Sequence, residues 1–214
     1  MKDYKVFLAR NDETWTEAIQ RYHLFCEADM KEYFSNKDYS YRFADNRAYR
    51  YQPMGKVSLE CVDDFTLRYK IKVPSSLIDL MCNHGVFRIG DSLLEIYDDI
   101  GADTILTLPR ILSLYGYSDF IDLIKPGILK SLLGYYFFFG VSFPHSPEMS
   151  FLYFNKAGVF GKMLFAPNNN DIVLQKVLPS MFNGSADRYT LDSLISNQID
   201  RVITNALTVK GYID

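Results

Sequence analysis

The clearest periodicity lies near the C-terminal end, where Leu191, Leu194, Ile195, Ile199, Val202 and Ile203 recur at helical spacing behind Thr190. A threonine hydroxyl caps helix N-termini, so a long amphipathic helix is predicted from there. At the other end Tyr4, Val6 and Leu8 alternate as a short strand. Asp12 can then cap a helix running to about Phe34, with Trp15, Ala18, Ile19, Tyr22, Cys26 and Tyr33 near helical spacing. In DFTLRYKIKV, residues 64–73, Phe65, Leu67, Tyr69, Ile71 and Val73 alternate strictly, which predicts a half-buried strand. The next stretch, VPSSLIDLMCNHGVFRIG (73–90), reads as a short helix and then a strand. Pro74 fits a first turn, because the N–H it lacks would be unpaired there. Ser76 and Asp79 stand three apart in a capping-box arrangement, Leu77, Leu80 and Met81 share one face, and Gly85 supplies a helix end. VFRI and LLEIY follow as strands, with Gly90 and Asp91 as the turn between them.

Residues 104–133 are broken by Pro109, Gly116, Pro126 and Gly127 into short helical pieces, of which DFIDLIK is the clearest. GYYFFFGVSF, residues 134–143, is an uninterrupted apolar run that predicts a central strand covered on both faces. FLYFNKAGVFGKMLF, residues 151–165, predicts a hairpin turning around Asn155 to Gly158, followed by the polar loop PNNND. Strands in the middle with helices at both ends and between them predict an α+β fold, a mainly antiparallel central sheet flanked by helices. The 214 residues suit one domain, with residues 1–56 as an N-terminal strand, helix and loop before a core over 57–207.

Composition adds one unusual feature, 16 Phe and 16 Tyr, which implies a β-rich core, a sticky interface, or both. No run approaches the roughly 18 apolar residues that span a bilayer, and the start has no apolar centre of a signal peptide, so a cytoplasmic protein with no membrane partner is expected. The net charge of −3 is unevenly spread. Residues 57–108 carry four Lys/Arg against nine Asp/Glu, while the flanking parts are near neutral. Asp91, Glu95, Asp98, Asp99 and Asp103, with Tyr97 among them, lie in a stretch free of basic residues. Such a field attracts a basic partner and repels nucleic acid, and the plainer alternative is a solvated acidic loop. YSYRFADNRAYRYQPMG, residues 39–55, alternates Tyr with Arg as a nucleic-acid surface does, but Asp38 and Asp45 dilute it; a loop covering the core with its rings fits as well.

Chemistry is sparse. Cys26, Cys61 and Cys82 are odd in number and widely spaced, so reduced, buried thiols are expected. His23 with Cys26, and Cys82 with His84, could make a tetrahedral site between them, but the spacing fits no zinc motif. Nothing places Cys82 beside His145 as a nucleophile pair, and Asp98, Asp99 and Asp103 lack EF-hand spacing. His84 before Gly85 suits a helix end whose ring approaches the last carbonyls. Phosphate-loop, zincin, C-x-x-C and nucleophile-elbow motifs are absent. No catalysis, metal or cofactor is expected.

The order strand, V-P-x-x-L-x-x-L-x-x-x-x-G, strand resembles the entry motif of the SMI1/KNR4 family (SUKH superfamily), carried here by Val73, Pro74, Leu77, Leu80, Asn83 and Gly85. His84 separates Asn83 from Gly85, which the family has adjacent. YYFFFG, ending at Gly140, resembles the family's central strand, residues 151–165 its hairpin, and TLDSLISNQIDRVI its closing helix. GAD-like immunity proteins have a similar P-x-x-L-L followed by a glycine and two strands. The resemblance implies a non-catalytic immunity protein that neutralises a bacterial toxin domain by binding it, a nuclease being the class whose site is basic. The acidic stretch Asp91, Glu95, Tyr97, Asp98, Asp99 and Asp103 would then face that partner. Two alternatives stand beside it: an interaction protein in wall or stress signalling, and a small-ligand binder or enzyme with an aromatic pocket and His145 or His84 as its polar group.

Overall fold

The computed structural model of the chain describes residues 4–8, 12–27, 51–89, 94–96, 105–144, 146–147 and 149–209. Among them stand six strands, β1 Tyr51–Gly55, β2 Val86–Ile89, β3 Leu94–Ile96, β4 Tyr136–Ser142, β5 Ser150–Asn155 and β6 Phe160–Leu164. They form one sheet in consecutive order, and every neighbouring pair is antiparallel. The fold is α+β, as predicted.

The sheet is covered on both faces, which is why its central strand reads as an unbroken apolar run. All seven residues of β4 are buried. Phe137 and Phe139 enter one core, and Tyr136 and Phe138 enter the other. The first core is completed by α1 (Trp15–Phe25), α2 (Leu59–Tyr69), α3 (Ser75–Ile78) and α8 (Leu191–Val209). The second is completed by α4 (Leu108–Leu114), α5 (Pro126–Leu133) and α7 (Leu178–Phe182), the last reached through α6 (Asn170–Ile172) and a π-helical turn, Val173–Val177. The β5–β6 hairpin forms around Asn155, whose Oδ1 accepts the N–H groups of Ala157 and Val159 at 3.0 Å each, with Gly158 at φ 78°. Thr190 caps α8, its Oγ1 accepting the Ser193 N–H at 3.1 Å, and all six predicted stripe residues are buried.

The residues that carry the family resemblance hold structural positions. Val73, Leu77 and Leu80 are buried. Asn83 donates through Nδ2 to Asp79 Oδ1 at 2.7 Å. Gly85 stands at φ 113°, and a Cβ there would lie 2.6 Å from the Gly55 carbonyl oxygen. Gly140 lies against β3 just as tightly, beside the register shift between Phe138 and Gly140.

Several sequence expectations are corrected. Tyr4–Phe7 is a 3-10 helix, not a strand; Phe7 turns inward, its ring 5.6 Å from Phe25 in an edge-to-face contact. Thr14, not Asp12, caps α1, through a capping box with Glu17. The stretch predicted as a strand over 64–73 belongs to α2 as far as Tyr69, because Val62, Phe65 and Tyr69 make the helical stripe that meets the core. Pro74 is the N-cap of α3 without a side-chain cap, so the Ser76/Asp79 box does not form there, and the helix continues as a π-helix over Asp79–His84. DFIDLIK is helical as expected, but as part of a 3-10 helix, Ser118–Leu123, that ends before an extended Ile124. Cys61 is exposed, and Cys26 and Cys82 are only half-buried. The predicted Gly90–Asp91 turn, the extension of α1 to Phe34 and most of the Tyr/Arg stretch lie outside the described residues.

Candidate functional site

Of the acidic residues expected to face a partner, Glu95 is described, and it points inward. It is 7% exposed. Arg88 stands opposite it in the β2–β3 register, with Nε 2.6 Å from Glu95 Oε1, and Tyr115 at the end of α4 donates its hydroxyl to Oε2 at 2.7 Å. A carboxylate taken from water needs such partners, so Glu95 joins β2, β3 and α4 and is corrected from surface charge to internal joint. Asp91, Tyr97, Asp98, Asp99 and Asp103 lie outside the described residues.

The exposed acidic face that the structure describes is on α2. Ser58 caps the helix by accepting the Cys61 N–H at 3.2 Å. Val62 and Phe65 anchor its inner face. Outward stand Leu59, Asp63 and Leu67, one turn apart in succession, so the two leucines are separated by roughly 12 Å of helix axis. Leu59 is 60% exposed and Leu67 is 75% exposed. Glu60 and Asp64 flank them, and none of the three carboxylates of Glu60, Asp63 and Asp64 forms an ion pair with a described residue. Two large apolar side chains interleaved with three unpaired acids contribute nothing to the core. This face escaped the sequence reading because Leu67 supplies one beat of the strict alternation that mimics a strand.

The histidines and cysteines meet only in part. Tyr51 of β1 sits between two histidines: its hydroxyl lies 2.9 Å from His84 Nε2, and its ring 4.6 Å from that of His23. Trp15 meets the His84 ring edge-on at 5.2 Å. Burial pushes the Tyr51 hydroxyl up to about 12. Burial, then the charges of His23 and Lys56, hold His84 below the ordinary histidine value against the opposing pull of Asp79. Cys82 is pushed up by burial and by Cys61, which makes it a poor nucleophile. Among the described residues no three His, Cys, Asp or Glu side chains are arranged to hold a metal ion. His23, Cys26, Cys82 and His84 belong to no such group there, and His145 lies outside the described residues.

A recess of about 340 Å³ opens between α5, the β4 and β5 strands and the α7–α8 connection. Its wall is aromatic. Tyr136 and Tyr153 meet edge-to-face at 5.0 Å, and Tyr135 packs against Tyr136 at 5.1 Å. Tyr136 donates its hydroxyl to the Met181 carbonyl at 2.5 Å, which fixes α7 to the sheet. Asn155, Asp187 and Arg188 complete the lining. The sequence offered Tyr135 and Tyr136 as aromatics of a central strand and Tyr153 as part of the hairpin; Arg188 had no signal, because a lone arginine before a helix resembles any surface charge.

No family model, curated protein or solved structure matches the chain.

Proposed function

We propose that this chain is a non-catalytic binding protein that acts by covering a basic protein surface, as an immunity protein of the SMI1/KNR4 type covers a toxin domain. The outward face of α2 is the observation that carries this reading. Leu59 and Leu67 are placed to enter a partner's apolar spots, each leucine contributing on the order of 1.5–3 kcal/mol when fully covered. Glu60, Asp63 and Asp64 around them steer a positively charged partner into contact. A nuclease is such a partner, since a site that holds phosphates is basic. The fold supports the reading in kind: the segment that resembles the family's entry motif is the helix-to-strand connection on which the first core closes.

The test is a tagged pull-down from the cells that produce the protein, at low and then moderate salt, with mass spectrometry of the bound fraction. One near-stoichiometric partner carrying a toxin domain, released as salt rises and lost with the Leu59→Ser/Leu67→Ser variant, is expected. A complex that the double variant still forms with undiminished affinity removes α2 from the interface. Recovery of wall-synthesis or housekeeping proteins instead would favour the scaffold reading.

A further inference from the structure

We propose that the tyrosine-lined recess between α5, β4, β5 and α7 is a binding site for a small aromatic acid, one or two rings bearing a carboxylate. Its volume of about 340 Å³ lies within the range of ligand pockets, roughly 300–1,000 Å³. Rings packed edge-to-face leave planar faces on which a flat ligand stacks.

The polar groups name the ligand's other end. Tyr153 is 2% exposed. Its ring lies across Gly161, where any Cβ would collide with the hydroxyl. Glycine at that position of β6 is what lets the tyrosine lie flat against the sheet. Tyr115 and Tyr136 spend their hydroxyls on Glu95 and Met181, but the Tyr153 hydroxyl has no hydrogen-bond partner among the described residues. That hydroxyl is not among the buried side-chain atoms left without a partner, so it is reachable from the recess, where a ligand acceptor would replace water. Burial, then Tyr136, Asp187 and Tyr189, push that hydroxyl up, so it is protonated and donates at neutral pH. Arg188 forms no ion pair with a described residue. Asn155 spends Oδ1 on two main-chain N–H groups, which leaves its NH₂ as a third donor. Three donors in one aromatic recess call for an oxygen acceptor carrying negative charge, and a planar carboxylate suits a guanidinium best. Asp187 is the opposing charge in the lining, and its effect on Tyr153 reinforces the donor state.

This site does not depend on what α2 docks, and its test reads the recess alone. 4-Hydroxyphenylacetate and indole-3-acetate, with their uncharged methyl esters, are titrated into the full chain by calorimetry and by ligand-observed NMR. Saturable one-site binding of an acid, at least about tenfold tighter than its ester and weakened about tenfold by Arg188→Met or Tyr153→Phe, is expected. Arg188 lies on a connection and its replacement leaves the core intact, so Arg188→Met serves if Tyr153→Phe disturbs folding. Absence of saturable binding up to millimolar acid, equal binding of acid and ester, or indifference to Arg188→Met overturns the proposal.

Discussion

A single missing side chain decides the approach of β4 to β3. A Cβ on Gly140 would stand 2.6 Å from the Glu95 carbonyl oxygen and 3.0 Å from the Ile96 side chain, so both strands would have to move apart. Gly140→Ala should therefore lower stability by about 1–3 kcal/mol, the cost of overpacking a close-packed interior. Gly127, in the first turn of α5, has open space around its Cα, and Gly127→Ala should be neutral or stabilise by up to about 1 kcal/mol. Urea denaturation of the two variants makes the comparison. Equal effects would mean that the strand approach is not limiting. The sequence showed a glycine ending an aromatic run; that the collision is with a carbonyl of β3 depends on the pairing register, which no local pattern states.

At the scale of the element, α2 is the strongest case of a pattern with two readings. As a strand, residues 65, 67, 69, 71 and 73 would all face the core, and Phe65 and Leu67 would be equally costly to remove. As a helix, Phe65 is buried beside Phe137 at 5.3 Å while Leu67 is 75% exposed. Phe65→Ala should cost about 3–5 kcal/mol, and Leu67→Ala no more than about 0.5 kcal/mol. Comparable losses from thermal or urea unfolding would restore the strand. Local alternation misled here because Leu67 is apolar without being buried, and an exposed leucine cannot be told from a core leucine until the core is placed. The stripe of α8, all of it buried, and the β5–β6 hairpin, where Leu164 is the one large apolar side chain exposed among the described residues, were legible from spacing and turn chemistry.

Across the whole molecule, α1 is tied to α8 by one buried charge cluster. Arg21 is 5% exposed and grips Glu13 with two nitrogens, Nε to Oε1 at 2.7 Å and Nη2 to Oε2 at 2.8 Å. Its Nη1 reaches Asp200 of α8 at 2.7 Å and donates to the Phe7 carbonyl at 2.6 Å, while Ser196 donates to Glu13 at 2.6 Å. Burial works to raise the Glu13 carboxyl, but hydrogen bonds from Arg21 and Ser196 and the Arg21 charge outweigh it and hold it below the ordinary 4.5. A carboxyl lowered on folding stabilises at pH above its unfolded value, and that stabilisation is lost as pH falls through the folded value. Arg21→Met should cost about 3–5 kcal/mol at neutral pH by stranding buried carboxylates, and the deficit should shrink below pH 4.5 as Glu13 takes up a proton. Denaturant midpoints against pH test it; a deficit independent of pH would mean that the charge pairing contributes nothing.

The sequence by itself determined the α+β class, the buried central strand, the hairpin turning at Asn155 and the closing helix capped by Thr190, because each rests on periodicity or turn chemistry within a short stretch of chain. Only the tertiary structure decided that Glu95 is an internal joint and that Leu59 and Leu67 face outward. Only it, too, brought Tyr153, Asn155 and Arg188 into one recess. Those outcomes depend on which distant residues share a face or a register, and distance along the chain carries no such information.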